Sequence, residues 1–532
     1  MFNRRIQRLG TVFLALALLL SLRIVWWQMV RPDPVAAVRN GAGTGVIPGG
    51  GSGVEVITGS SPEALEAVPA PVLQRARKRL ENLERGAIYD RRGRLLAYNS
   101  PDGGRVYTTP SLAPVIGYVS GIGTGVAGIE AGYNESLLGL DRLETQARLA
   151  LRQAAQGSSL ALTIDSAVQQ AAVDALGGQA GAVVVLDAHS GAVLAMVSNP
   201  HYDPNRVLEP GYAASLEAAC GGQPACRAPF VNRATQARYT PGSTWKTVTL
   251  IAALDSGQVT PETVFDFGEP RQGPNGPYYV YEVGGGEIPD PNHREARLDL
   301  PMAYARSANA AFARIGDEMA PETFREYAAR LGFGAPGEIE YSLGIEYTPS
   351  QVANDPAELA ENDLLRAATA IGQGELLTSP LNMALVAAAV INDGDLPLPR
   401  VVESARLPSA GGVALPALRI GQEVNVMEPA AAEQAQAIMV TAVESGSGSP
   451  AQIPGVRVGG KTGTAQLGGD QAPHAWFIGF AEQDRQAVAI AVLVEHGGSG
   501  FSVAAPLFAR VAPAALQALA DPVEFTPEQI PE

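Results

Sequence analysis

The first thirty residues set up an apolar run with basic flanks. Arg4, Arg5 and Arg8 precede the stretch from Gly10 to Leu22, Arg23 interrupts it, and Ile24 to Val30 follow with Trp26 and Trp27. Residues 10–30 have the length of a bilayer span. The paired Trp suit the far interface, and Arg23 can snorkel toward it. The early arginines keep residues 1–9 cytoplasmic and place everything beyond about residue 31 outside. An uncleaved anchor is expected rather than a cleaved signal, because the nearest small-residue site, Val35-Ala36-Ala37, lies well past the run. No cysteine lies nearby, which excludes a lipoprotein.

The pattern then changes twice. Residues 31–71 are rich in Gly, Ser, Ala and Pro, with Gly49-Gly50-Gly51-Ser52-Gly53 among them, and read as a flexible spacer. Residues 72–84 read as a short amphipathic helix with Lys78 on its charged face. From about residue 157 the alternation of strand-like and helix-like patterns predicts one α+β unit. Residues 158–163 and 181–198 predict strands, the second folded back at His189-Ser190-Gly191. Residues 243–256 predict a helix opened by Ser243 and closed by Gly257. Helices are also expected over 300–319, 380–392 and 504–519, and adjacent antiparallel strands over 456–460, 474–482 and 486–495. There is no internal repeat.

At 532 residues and 46% hydrophobic, the chain can bury a large core. A net charge of −16 argues against a polyanionic partner such as nucleic acid. One compositional fact carries chemistry. Of 38 basic residues only Lys78, Lys246 and Lys461 are lysine. Where any cation would serve, this chain uses Arg, so a retained lysine suggests an amine that must lose its proton.

Lys246 stands in Ser243-Thr244-Trp245-Lys246, and Lys461 in Lys461-Thr462-Gly463; Ser307-Ala308-Asn309 lies between them. Each motif alone is common. In this order they form the S-x-x-K, S-x-N and K-T-G set of β-lactamases and penicillin-binding proteins. Helical spacing puts Ser243 and Lys246 on one face. A serine hydroxyl needs a base to become nucleophilic, and a buried lysine near a second cation can be that base. Lys461 is the expected second cation, Ser307 the proton relay between the amines, and Asn309 a ligand for a substrate amide. Thr462, Gly463 and Thr464 form the expected carboxylate-binding strand, with the Ser243 and Thr464 N–H groups as oxyanion hole. His189, His201, His293, His474 and His496 show no metal-binding spacing, so no metal and no cofactor are expected. Gly372-Gln373-Gly374 reads as a shaped turn rather than a phosphate loop.

Beyond the motifs, the chain resembles a class B penicillin-binding protein, a monofunctional D,D-transpeptidase of peptidoglycan synthesis. Arg85-Gly86-Ala87-Ile88-Tyr89-Asp90-Arg91-Arg92-Gly93 with Leu96-Ala97 is similar to the opening of the family's pedestal, and Gly128-Ile129-Glu130 with Tyr133-Asn134 and Leu137–Gly139 to its close. Leu162-Thr163-Ile164-Asp165 with Gln169, Tyr202-Asp203-Pro204-Asn205, Tyr239-Thr240-Pro241-Gly242-Ser243 and Trp476-Phe477-Ile478-Gly479 also match. The resemblance implies a penicillin-binding-protein/serine β-lactamase-like fold, an antiparallel sheet flanked by helices. It places a small pedestal over residues 72–150 and a transpeptidase domain over 157–520. The short pedestal is more similar to compact elongation-type members. The implied partners are peptidoglycan stem peptides, β-lactams and a membrane glycan polymerase of the shape–elongation–division–sporulation type. Residues 31–150 are too few and too Gly-rich for a class A glycosyltransferase. A serine β-lactamase, a D,D-carboxypeptidase and a β-lactam-sensing receptor share the motifs and are the alternatives.

Cys220 and Cys226 are the chain's two cysteines, close together in a Gly/Pro-rich segment of what should be an exported domain. Exported pairs commonly oxidise, so a disulfide is expected, with two buried thiols as the alternative.

Overall fold

The computed structural model describes residues 83–521 and 523, apart from 122, 143–144, 146–147, 149–150, 152, 220–228, 335–340, 342, 407–413, 417–423 and 469–470. The expected anchor, the spacer, most of the 72–84 helix and both cysteines lie outside the described residues. Of the 72–84 segment, Leu83–Glu84 is described and is extended, not helical. It pairs in parallel with Ala155–Gln156, and Gly157 N–H donates to Glu84 O at 2.7 Å.

A five-stranded antiparallel sheet forms the centre, in the order Arg457–Ala465, His474–Gln483, Gln486–Val494, Gly181–Asp187, Val193–Asn199. Its inner strands are near-continuous apolar runs because both faces are covered. Alternate side chains enter two cores, as the period of two requires. Val184, Leu186, Ala489 and Leu493 face the helix Pro380–Ile391. Val183, Val185, Ile490 and Val492 face the helices Ser166–Leu176 and Ala505–Ala520. The stretch Gly500–Ala520 is long and apolar enough to cross a membrane by composition alone, yet Leu507, Phe508, Val511 and Ala515 are buried against the sheet.

A second sheet of six strands runs in the order Ala414–Pro416, Val402–Arg406, Ser159–Leu162, Ile88–Tyr89, Leu95–Asn99, Arg105–Tyr107. Strands from both sides of the expected 150/157 boundary therefore share one sheet, and Ile88–Tyr89 pairs in parallel with Ser159–Leu162. The pedestal residues Leu96, Leu112 and Ile129 belong to the same continuous core as Leu160 and Leu186. Arg85 and Arg105 both grip the fully buried Glu130 carboxylate, at 2.6 and 2.8 Å, which joins the two ends of the pedestal motif.

Three elements differ from the sequence pattern, and each difference shapes the site. The 300–319 helix is two helices, Leu300–Ala305 and Asn309–Glu318, broken where Ser307 takes a φ of 57°. The 243–256 helix begins as a 3₁₀ turn, Gly242–Trp245, before Lys246–Asp255. Pro241 precedes that turn and Gly242 opens it at a φ of 56°, so Ser243 lies inside it rather than capping an α-helix. The strand expected over 456–460 is Arg457–Ala465 and so carries Lys461-Thr462-Gly463-Thr464 on the sheet's edge.

Candidate active site

Three glycines let three segments converge on Ser243. A Cβ at Gly242 would lie 2.9 Å from Thr464 O. One at Gly463 would lie 2.7 Å from Pro241 O and 2.9 Å from Thr244 Cγ2. One at Gly372, φ +86°, would lie 1.7 Å from Gly242 O. The Gly372-Gln373-Gly374 turn thus backs the nucleophile turn directly, in agreement with its reading as a shaped turn. Thr244 and Trp245 anchor the turn inward: Thr244 Oγ1 donates to Pro241 O at 2.9 Å, and Trp245 packs edge-on against Phe333. Ser243 is left half-buried.

Lys246 and Lys461 are both fully buried. Lys246 Nζ donates to Ser307 O at 2.7 Å and to Asn309 Oδ1 at 2.7 Å, and lies 3.2 Å from Ser307 Oγ. Lys461 Nζ lies 2.9 Å from the same hydroxyl and donates to Thr462 O at 3.2 Å. The Ser307 hydroxyl therefore lies between the two amines. Its left-handed backbone makes this possible by turning the side chain between them.

The expected pairing of Ser243 with Lys246 is not formed. No hydrogen bond joins them, because the three N–H groups of Lys246 are occupied by the S-x-N segment. Spacing puts the two side chains on one face; the amine is simply turned to Ser307. In an unliganded site such catalytic hydrogen bonds are commonly long and tighten on complex formation. Asn309 likewise holds Lys246 through Oδ1 and donates through Nδ2 to Pro289 O at 3.0 Å, so it positions the lysine in this state. Thr462 is buried and donates to Ser447 Oγ at 2.9 Å, whereas Thr464 is exposed on the edge strand.

Burial governs the electrostatics. It pulls the Lys246 amine down to about 7, with the Asp290 carboxylate opposing it. Burial also takes Lys461 well below the ordinary lysine range, and the neighbouring Lys246 charge pushes it the same way. The expectation had been that a Lys461 cation depresses Lys246. The two amines face one another across the Ser307 hydroxyl, and the Asp290 carboxylate favours the charged form of Lys246.

Asp290, Asn292, His293 and Ser447 were not found from sequence. Asp290 is fully buried and accepts Ala310 N–H at 2.8 Å; Asn292 Nδ2 donates to Ser307 O at 2.8 Å. No spacing marks them. The one available signal was charge balance: two buried amines call for a buried carboxylate nearby. His474 is buried beside the K-T-G strand, paired with Ala465.

A serine on a helix-start turn, two buried amines joined through a second serine, and an edge strand bearing K-T-G-T define a serine acyltransferase site. The chain belongs to the penicillin-binding protein transpeptidase family, whose family model, described as Penicillin binding protein transpeptidase domain, matches residues 181–512. That match lies inside the 157–520 span. The chain is similar to the peptidoglycan D,D-transpeptidase PbpA of Mycolicibacterium smegmatis, 34% identical over 448 residues, 80% of this chain and 88% of that protein. It is also similar to MrdA of Haemophilus influenzae, 29% identical over 73% of this chain and 62% of that protein. Among solved structures, penicillin-binding protein A from M. tuberculosis as a ceftriaxone acyl-enzyme complex is 30% identical with a TM-score of 0.71, covering 83% of this chain and all of that one. The penicillin G acyl-enzyme complex of the same protein gives a TM-score of 0.68 at 31% identity, covering 82% of this chain and 100% of that chain.

Proposed function

We propose that this protein is a class B peptidoglycan D,D-transpeptidase that cross-links stem peptides through an acyl-enzyme on Ser243 and is acylated there by β-lactams. The observation that carries the reading is the chain Lys246–Ser307–Lys461, buried behind a half-exposed serine. Relatives bearing the D,D-transpeptidase name and neighbours captured as β-lactam acyl-enzymes support it.

The arrangement of these groups supports the following steps. A donor peptide presents its terminal carboxylate to Thr464 and Lys461 at the sheet edge. That anion favours the charged form of Lys461. A proton passes from Lys246 through the Ser307 hydroxyl to Lys461, which leaves Lys246 as a free amine. Ser243 Oγ attacks the scissile carbonyl and gives its proton to Lys246, while the N–H groups of Ser243 and Thr464 hold the oxyanion. The leaving amine takes that proton as the bond to the terminal residue breaks. The amine of an acceptor stem peptide then attacks the ester, and Ser243 Oγ recovers its proton. Because Lys246 must be neutral, acylation rises as pH climbs through about 7.

Residues 10–30 would anchor the enzyme in the cell membrane with its catalytic domain outside. The chain's own activities supply no glycan strands, so a membrane glycan polymerase of the shape–elongation–division–sporulation type is the expected partner. It would dock through the anchor and the Arg85–Gly139 segment.

The test is labelling with a fluorescent penicillin. Intact mass should rise by one drug molecule, peptide mapping should put it on Ser243, and Ser243→Ala should stay blank. A stoichiometric adduct elsewhere, or no adduct, overturns the assignment. Rapid turnover of the drug would make the protein a β-lactamase instead.

A further inference from the structure

Asp290 ends the strand Gly286–Asp290 and has no solvent exposure. Its Oδ2 accepts Ala310 N–H at 2.8 Å and faces His293 Nε2 at 3.2 Å; its Oδ1 accepts Asn292 N–H at 3.3 Å. Ala310 follows Asn309, which holds Lys246. Asn292 Nδ2 donates to Ser307 O, the oxygen that also accepts Lys246. One short segment, Asp290 to His293, thus backs the S-x-N motif along its buried side.

The ring of His293 settles where the protons are. Its side chain has no exposure, and Nδ1 lies 3.0 Å from Glu295 O. A carbonyl oxygen can only accept, so Nδ1 carries a proton. Nε2 faces a carboxylate oxygen that already accepts Ala310 N–H. Burial alone would raise the Asp290 carboxyl, but the His293 hydrogen bond and the Lys246 charge outweigh it and hold the group below its ordinary range. An ionised carboxylate also only accepts, so both ring nitrogens of His293 face acceptors. The ring is packed in place by Phe267 and Tyr279, whose rings lie 4.4 and 5.1 Å from it, with Tyr279 nearly parallel.

We propose that Asp290 and His293 form a buried positioning dyad that sets the charge on Lys246, and with it the pH at which Ser243 becomes nucleophilic. Neither residue touches substrate. The inference rests on the acyltransferase reading of Ser243 and Lys246. The carboxylate favours the ammonium form of Lys246, and the His293 ring hydrogen-bonded to it draws on the same charge, so the two act with opposite sign. Among the described residues the other charged group facing the dyad is Glu295, whose carboxylate lies 3.9 Å from His293 Nδ1 and also binds Arg306 at 3.3 Å.

The experiment is the pH profile of acylation by a fluorescent penicillin, from about pH 5 to about pH 9, for the full chain and two variants. Asp290→Asn keeps an oxygen for Ala310 N–H but removes the charge. Its acid limb should move down by roughly one pH unit, the usual scale for a neighbouring charge. His293→Gln puts a weaker, uncharged amide donor against Asp290 and leaves more of the carboxylate charge for Lys246, so its limb should move up by a similar amount. A merely structural role would lower the plateau and leave the limb in place. Limbs that do not move, or that move in the same direction, overturn the dyad. Where Asp290→Asn does not fold, His293→Gln decides alone: an upward shift supports the proposal and any other result overturns it. A wild type acylated at Ser243 with unmoved variant limbs defeats only the dyad, whereas a wild type without that adduct defeats the functional reading and the dyad with it.

Discussion

Gly372→Ala should inactivate the nucleophile turn without touching a reacting atom. Gly372 has a φ of +86°, and an added Cβ would sit 1.7 Å from Gly242 O, 2.5 Å from Gly242 C and 3.0 Å from Trp245 Cβ. Carbon and carbonyl oxygen approach to about 3.3 Å at closest, so the turn must retreat by about 1.5 Å. A misplacement of about 1 Å costs on the order of 10² in rate. Gly374 supplies the control. Its φ of +82° carries the same left-handed penalty, about 1–2 kcal/mol for a non-glycine residue. Its Cβ, however, would meet only the side-chain atoms Leu365 Cδ1 at 3.2 Å and Thr369 Oγ1 at 3.5 Å. Gly372→Ala and Gly374→Ala should both lower Tm, and only Gly372→Ala should lose about 10²-fold or more in acylation rate. Stopped-flow acylation by a fluorescent β-lactam, beside thermal unfolding, separates the two effects. If Gly372→Ala acylates within about threefold of Gly374→Ala, the contact with Gly242 does not position Ser243.

Two further results are expected. Lys246→Arg retains a cation but no usable base, so acylation should fall by about 10²–10⁴, while Lys461→Arg, which still offers charge to a carboxylate, should fall less; equal and small losses would show that Lys246 is not the base. Burial and the neighbouring His496 lower the His474 pKa to about 4, and His496 N–H donates to its Nδ1 at 3.1 Å. The unfolded value is near 6.5, so the unfolded chain binds the extra proton first, and stability present above about pH 6.5 is lost as pH falls toward 4. The Tm difference between wild type and His474→Gln should change over that window, and a constant difference would show that His474 titrates normally.

What could be read from the chain and what could not differ in physical kind. Ser243, Lys246, Ser307 and Lys461 were legible because the chemistry demands those residue types in short local motifs, two of them the only lysines in the domain. The sheet strands were legible because burial on both faces writes an apolar run into the sequence. The break at Ser307 was not. Apolar residues recur at helical spacing straight through it, at Leu300, Ala303, Tyr304, Ala308, Ala311 and Phe312, all buried. Local pattern therefore predicts one helix, and tertiary contacts impose two. A non-glycine residue stays left-handed only where its surroundings over-determine it. Here Ser307 N–H donates to Tyr304 O at 3.0 Å, Ser307 O accepts from both Lys246 and Asn292, and its hydroxyl sits between two amines. Asn292 and Asp290 reach this point because the hairpin Gly276–Val283 with Gly286–Asp290 folds back onto the Asn309–Glu318 helix. No periodicity in sequence encodes that return. The motifs thus name the reacting groups, while a segment without a motif holds the strained serine that connects them. Substitutions along Asp290 to His293 should therefore act on the chemistry at Ser243 through Ser307 and Lys246.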